Sequence, residues 1–269
     1  MTSYTDYMNI VQLLAPSLVT AAAMAVAASV LGVFVLLRRE ALLALAVPNA
    51  AGVGAAAALR YGLPPLPVCF MSTGLALTIL AWARHRRLQH VMLPTLYVAG
   101  LCLAFLIIAN SGQHVEEMQN LLTGMDVAVT FDTACVATPL LLLTAAVAAI
   151  LWRRWLLLAQ MPAVAQLARL HPARWDAMFL TLLTVAVVLG TRSLGAVMVL
   201  VMLFLPAGTV LPWSRRIPHA IVGAIICSLV FLVGGFVCSV EMAWPFSQSV
   251  GGVGFALFGG SVLTESFRH

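Results

Sequence analysis

The chain has 269 residues, of which 62% are hydrophobic and 9% charged, with a mean hydropathy of +1.05. Soluble domains carry about 25% charged residues and bury one core of limited size, so a water-soluble domain is excluded and lipid is the solvent that fits. The net charge of +5 rests on 14 basic residues, all of them arginine; without lysine there is no Walker-type phosphate loop, and clusters between apolar runs point to membrane orientation, not nucleic acid.

A membrane-spanning helix needs about 20 apolar residues. The first nine residues carry an acid and no base. The run that follows, 11–37, is longer than the apolar region of a secretory signal peptide, so it reads as a retained span. Further spans are expected at 41–59, 66–83, 91–110, 133–151, 177–191, 195–212, 217–238 and 248–264. These runs lack the alternation of barrel strands and read as helices.

Two connections stand out. Segment 111–132 contains an amphipathic stretch. Segment 152–175 is the long connection on the other face, and Pro162 in it suits a first helical turn. A short amphipathic helix is expected over Ala163 to Leu170, ended near Pro172. Between the sixth and seventh runs, Gly190 to Gly195 is expected to break the helix and leave two short spans. A re-entrant pair would instead place Arg192 deep in the bilayer, where an unpaired charge is costly. The five cysteines (Cys69, Cys102, Cys135, Cys227 and Cys238) form no CxxC pair and read as small core residues. No repeat, low-complexity tract or linker divides the chain, so 1–269 is expected to be one transmembrane domain.

The arginines orient the bundle. With the N-terminus outside and the C-terminus in the cytoplasm, twelve arginines face the cytoplasm and only Arg60 and Arg192 face out. No Asp, Glu or Arg falls well inside any expected span. Proton- or ion-coupled carriers keep ionisable groups near the midplane, so a secondary transporter is disfavoured. The lack of a nucleophile–base or paired-carboxylate arrangement argues against an intramembrane hydrolase. What remains is a pore driven from outside itself, with segment 160–173 as the contact for an ATPase.

Ordered motifs sharpen this. Ser17 to Gly54 contains an apolar helix, the Arg38-Arg39 pair and a small-residue helix ending Ala50-Ala51-Gly52-Val53-Gly54. Later come Leu121-Leu122-Thr123-Gly124-Met125-Asp126 and Met161-Pro162-Ala163-Val164-Ala165. The block Ser193-Leu194-Gly195-Ala196 runs through Leu205-Pro206-Ala207-Gly208 to Arg215-Arg216. Together these resemble the zinc/manganese-type ABC transporter permeases over about 17–263. The resemblance implies an all-α polytopic bundle of about 8–9 helices, similar to a type II ABC importer permease. It also implies a homodimeric or paired permease, two copies of an ABC ATPase, an external metal-binding protein and a bacterial inner-membrane location. The cargo it implies is a divalent metal, usually zinc or manganese. No cofactor is expected on this chain, which is read as a transport subunit and not an enzyme.

The residue expectations follow the family positions. ATPase coupling falls to Pro162, Ala163, Val164, Ala165, Leu167, Arg169 and Leu170, with Arg169 standing where the family usually has glycine. Metal-contact candidates are Asn49 and Glu241. The family usually carries an aspartate and, four residues on, a histidine; here those places read Leu45 and Asn49. A bare divalent ion in a low dielectric costs on the order of tens of kcal/mol without charged ligands, and a neutral amide is a weak zinc ligand. The alternatives left open are an ABC permease for a non-metal or chelated-metal solute, a stand-alone channel or carrier, and a non-transporting scaffold.

Overall fold

The structure is a computed structural model describing residues 4–38, 41–85, 89–109, 131–160, 171–214, 216–242 and 244–266. Its described residues form nine α-helices and no strand: α1 (Tyr4–Leu37), α2 (Ala41–Tyr61), α3 (Pro65–His85), α4 (Gln89–Ala109), α5 (Phe131–Gln160), α6 (Pro172–Leu194), α7 (Ala196–Val210), α8 (Ile217–Met242) and α9 (Phe246–Ser266). A single 3-10 turn, Leu211–Trp213, follows α7. The all-α polytopic bundle expected from the sequence is what is found. Segments 110–130 and 161–170, with the coupling residues Pro162 to Leu170, lie outside the described residues.

Among the described residues, five stretches are long and apolar enough to cross a membrane: Ala15–Leu37, Phe131–Leu158, Pro172–Leu194, Ala196–Trp213 and Ile217–Met242. Nine were expected. Shorter apolar stretches, Pro65–Ala81 and Thr95–Ala104, lie in α3 and α4. The remaining two helices are α2 and α9.

The central helix is α1, packed against α5, α6, α7 and α8. Lipid tails are as apolar as leucine, so helices already in a bilayer gain little by hiding oily side chains from one another. Close packing of small residues decides association instead. α1 follows this rule: Ala21, Ala25, Ala27 and Ala28 are fully buried. A Cβ at Gly32 would overlap the Leu203 carbonyl oxygen of α7, so the two backbones touch there. Hydroxyls add interhelical hydrogen bonds, from Ser228 Oγ in α8 to the Ala25 carbonyl (3.3 Å) and from Ser72 Oγ in α3 to the Ala50 carbonyl (2.8 Å). The α2–α3–α4 group joins this body chiefly through α2 against α6.

Two boundaries differ from expectation. Gly190 does not break the helix: α6 continues to Leu194, because Gly190 is where Met24 and Val199 press in, 2.7 and 2.8 Å from an added Cβ. The break falls on Gly195 alone, at φ 86° and ψ 156°, a backbone region that essentially only glycine enters. Residues 190 and 199 would be about 13 Å apart along a straight helix. Their contact shows that α7 folds back along α6. The second difference is α5, expected to end near 151, which continues to Gln160 because Trp155 is fully buried.

Candidate functional site

Two charged side chains that border the bundle interior, Asp176 and Arg192, lie near the two ends of α6. Asp176 and Arg192 are 16 positions apart on that helix, about 24 Å of rise.

At the first end, Arg38 follows the last turn of α1 and its guanidinium donates to Asp176 in the first turns of α6. Both side chains are largely buried, at 8% and 18% exposure. The same guanidinium lies 4.8 Å from the centre of the Phe179 ring. Trp155 of α5 sits between Phe34 and Phe179, edge-on to both at 5.5 and 5.2 Å. Arg154 lies over Trp175 at 4.8 Å. Three helices are therefore fastened together here, and two of them, α5 and α6, lead directly into and out of segment 161–170. In sequence, Arg38 reads as a topology marker and as part of the Arg38-Arg39 pair, and Asp176 has no role. The available signal is that both sit at the same face of the bundle, bordering apolar spans.

At the other end the bundle is open among the described residues. A cavity of about 450 Å³ lies between the last turns of α2, the start of α3 and the end of α6. Ala51, Ala55 and Ala58 line it at helical spacing, so α2 presents a stripe of methyl groups and leaves room. Gly62 borders the cavity too; its φ of +63° lets the chain turn straight from α2 toward α3. A smaller cavity, about 200 Å³, is lined by Asp132, Thr133 and Val136 of α5 and by Ser193. Arg192, in the last turn of α6, lines both. No carboxylate among the described residues forms an ion pair with it. Its neighbours Thr191 and Ser193 are 5% and 7% exposed, and their hydroxyls have no hydrogen-bond partner among the described residues.

The two metal-contact candidates lie elsewhere and apart. Asn49 is buried in the seam between α2 and α4, where its Cβ would stand 3.1 Å from a Cβ at Gly100. Its face continues through Val53 and Ala56 against Ala104 and Ile107. Its Nδ2 has no partner among the described residues. Glu241 is exposed in the last turn of α8. Neither lines the two cavities, and Leu45 is only half-buried. No group of three or more His, Cys, Asp or Glu that could hold a metal occurs among the described residues.

The comparisons with known proteins agree with this architecture. No curated protein sequence matches the chain. Among solved structures, PsaBC from Streptococcus pneumoniae in complex with Fab superposes with a TM-score of 0.85 at 18% identity, over 96% of this chain and 95% of that one. A structure titled as the inward-facing conformation of a metal-chelate type ABC transporter superposes with a TM-score of 0.60 at 20% identity. That match covers 93% of this chain and 85% of the other. At such identities these two show a shared fold. The model of the ABC 3 transport family matches residues 10–264, nearly the whole chain and the same stretch over which the sequence motifs run. The chain therefore belongs to the ABC 3 transport family, as a multi-pass membrane permease.

Proposed function

We propose that this chain is the membrane-spanning subunit of an ATP-driven importer that carries a divalent metal, zinc or manganese, into the cell. The observation that carries the reading is the family match over residues 10–264. The fold shared with PsaBC and with the metal-chelate type transporter supports it. In this reading two copies of the chain pair in the membrane, two ATPase subunits dock below and a metal-binding protein delivers cargo from outside. In this reading the Arg38 end faces the cytoplasm and the Arg192 end the outside, which the arginine distribution supports.

The mechanism follows from the Arg38 end. The residues proposed to contact the ATPase, Pro162 to Leu170, are bracketed by α5 and α6. Both helices are tied to α1 through Trp155, Phe179 and the Arg38–Asp176 pair. A push on the segment is therefore delivered to the central helix, because close-packed interiors transmit displacement instead of absorbing it. Asn49 and Glu241 keep their proposed metal-contact roles as separate points on a path.

The test is uptake of radioactive manganese or zinc into proteoliposomes holding this chain with its partner ATPase. Uptake should require ATP on the ATPase side of the membrane and should vanish when 160–173 is deleted or Arg169 is replaced by Glu. ATP-independent transport by the chain alone would overturn the reading, as would full uptake after the deletion.

A further inference from the structure

The larger cavity lies on a seam of the bundle. The α2–α3–α4 group meets the other helices chiefly through α2 against α6, and the cavity is lined by the end of α2, the start of α3 and the end of α6. Through Ala51, Ala55 and Ala58 the α2 wall is mostly methyl groups. The depth of the cavity is buried: Ala51, Ala58, Cys69, Val188 and Thr191 are at most 5% exposed. Its rim is not, with Leu63 at 48%. Beside the rim, Tyr61 is 67% exposed, and exposed tyrosines collect where membrane meets water.

Two polar residues interrupt the apolar wall, and both line this one cavity. Thr191 keeps a buried hydroxyl with no hydrogen-bond partner among the described residues, whereas buried polar groups are nearly always paired. Arg192 brings a fixed positive charge with five donors and no acceptor. No carboxylate among the described residues lines the cavity with it; Asp132 borders only the smaller one. Arg60, in the last turn of α2, adds a second charge next in sequence to the lining Leu59. In the proposed orientation these are the two arginines that face outward, against the bias that keeps arginine inside. Both belong to helices that form this cavity.

We propose that the larger cavity binds one anionic phospholipid from the leaflet on the Arg192 side, and that this lipid fills the seam between α2 and α6. A planar guanidinium matches a phosphate with two parallel hydrogen bonds, and the Thr191 hydroxyl can donate a third. Basic pockets between membrane helices hold lipid headgroups in this way. The methyl wall takes a length of acyl chain, which gains close contacts that lipid outside the seam does not have. A free phosphate could use the charge but would leave that wall without a partner.

The test counts the lipid that stays with the protein. The transporter, assembled with its ATPase, is held in nanodiscs of equal phosphatidylglycerol and phosphatidylcholine, then released and weighed by native mass spectrometry. Phosphatidylglycerol should be retained over phosphatidylcholine. Arg192→Gln should lower that preference about fivefold, while Arg192→Lys keeps part of it. Ala55→Leu, which fills the methyl wall without touching a charge, should lower retained phosphatidylglycerol by a similar factor. It carries the test if Arg192→Gln does not assemble.

Equal preference in wild type and Arg192→Gln overturns the proposal. Retention that ignores Ala55→Leu places the lipid elsewhere on the bundle and overturns it too. Phosphatidylglycerol displaced by added inorganic phosphate assigns the charge to a free anion, with the same result. Separation of paired copies in Ala55→Leu assigns the cavity to an interface between copies, which also overturns it. The readout is retained lipid, so it does not depend on which cargo the permease carries.

Discussion

The two ends of α6 handle a charge inside a lipid-embedded bundle in opposite ways. At the first, Asp176 meets Arg38, the guanidinium also lies on Phe179, and Trp155 fills the space beside it. The charge is neutralised within the chain and walled by aromatic rings. At the second, Arg192 borders two cavities and its flanking hydroxyls are left without partners among the described residues. One end is closely packed, the other borders open space. The difference teaches that an arginine near a helix end carries no meaning of its own. What packs around it decides whether it is a rivet or an open charge.

The comparison breaks most easily at Trp155. Its replacement by Ala should cost about 3–5 kcal/mol of stability, read from the unfolding midpoint in detergent. Trp155→Phe should stay within about 1.5 kcal/mol, since it keeps most of the volume and removes an indole N–H with no partner among the described residues. Arg38→Ala comes next, at about 3 kcal/mol, because it strands a buried carboxylate. A double-mutant cycle with Asp176→Ala checks this: the double variant should be clearly more stable than the summed singles imply. Simple additivity would show that the pair fastens nothing.

Smaller effects sharpen the contrast. Gly195→Ala forces a side chain onto a φ of 86° and should cost about 1–3 kcal/mol, visible as a lowered unfolding midpoint. Arg192→Gln should move stability by no more than about 0.5 kcal/mol, the range for sites that anchor nothing. A loss at Arg192 as large as that at Arg38 would erase the distinction between the ends.

Much of the fold is legible in the chain order of apolar runs, because a helix that must satisfy its own backbone in lipid needs about 20 apolar residues in a row. The ends of those runs are less legible. α5 continues past its expected end because Trp155 has aromatic partners on α1 and α6, which no local pattern announces. Gly190 has the look of a breaker yet stays helical under Met24 and Val199, while Gly195 five residues on makes the turn. At the candidate site, Asn49 and Glu241 follow from family positions. They lie apart, one in the α2–α4 seam and one at the end of α8. Arg192, which lines both cavities, with Thr191 at the larger and Ser193 at the smaller, reads in sequence only as part of a break between spans.

Sequence alone determined that the chain lives in lipid, that it is helical, that its arginines favour one face and that it belongs with the metal-type ABC permeases. These follow from hydropathy, charge placement and motif order, which are properties of the chain taken one segment at a time. Only the tertiary structure decided which apolar helix is central. α1 and α8 are both strongly apolar, yet 78% of the apolar stretch of α1 is buried against 33% for α8. Hydropathy cannot tell protein from lipid as a neighbour, since both are equally dry. The same limit separates Arg38 from Arg192: the sequence shows two arginines near helix ends, and contacts between distant segments decide that one is locked and the other left open.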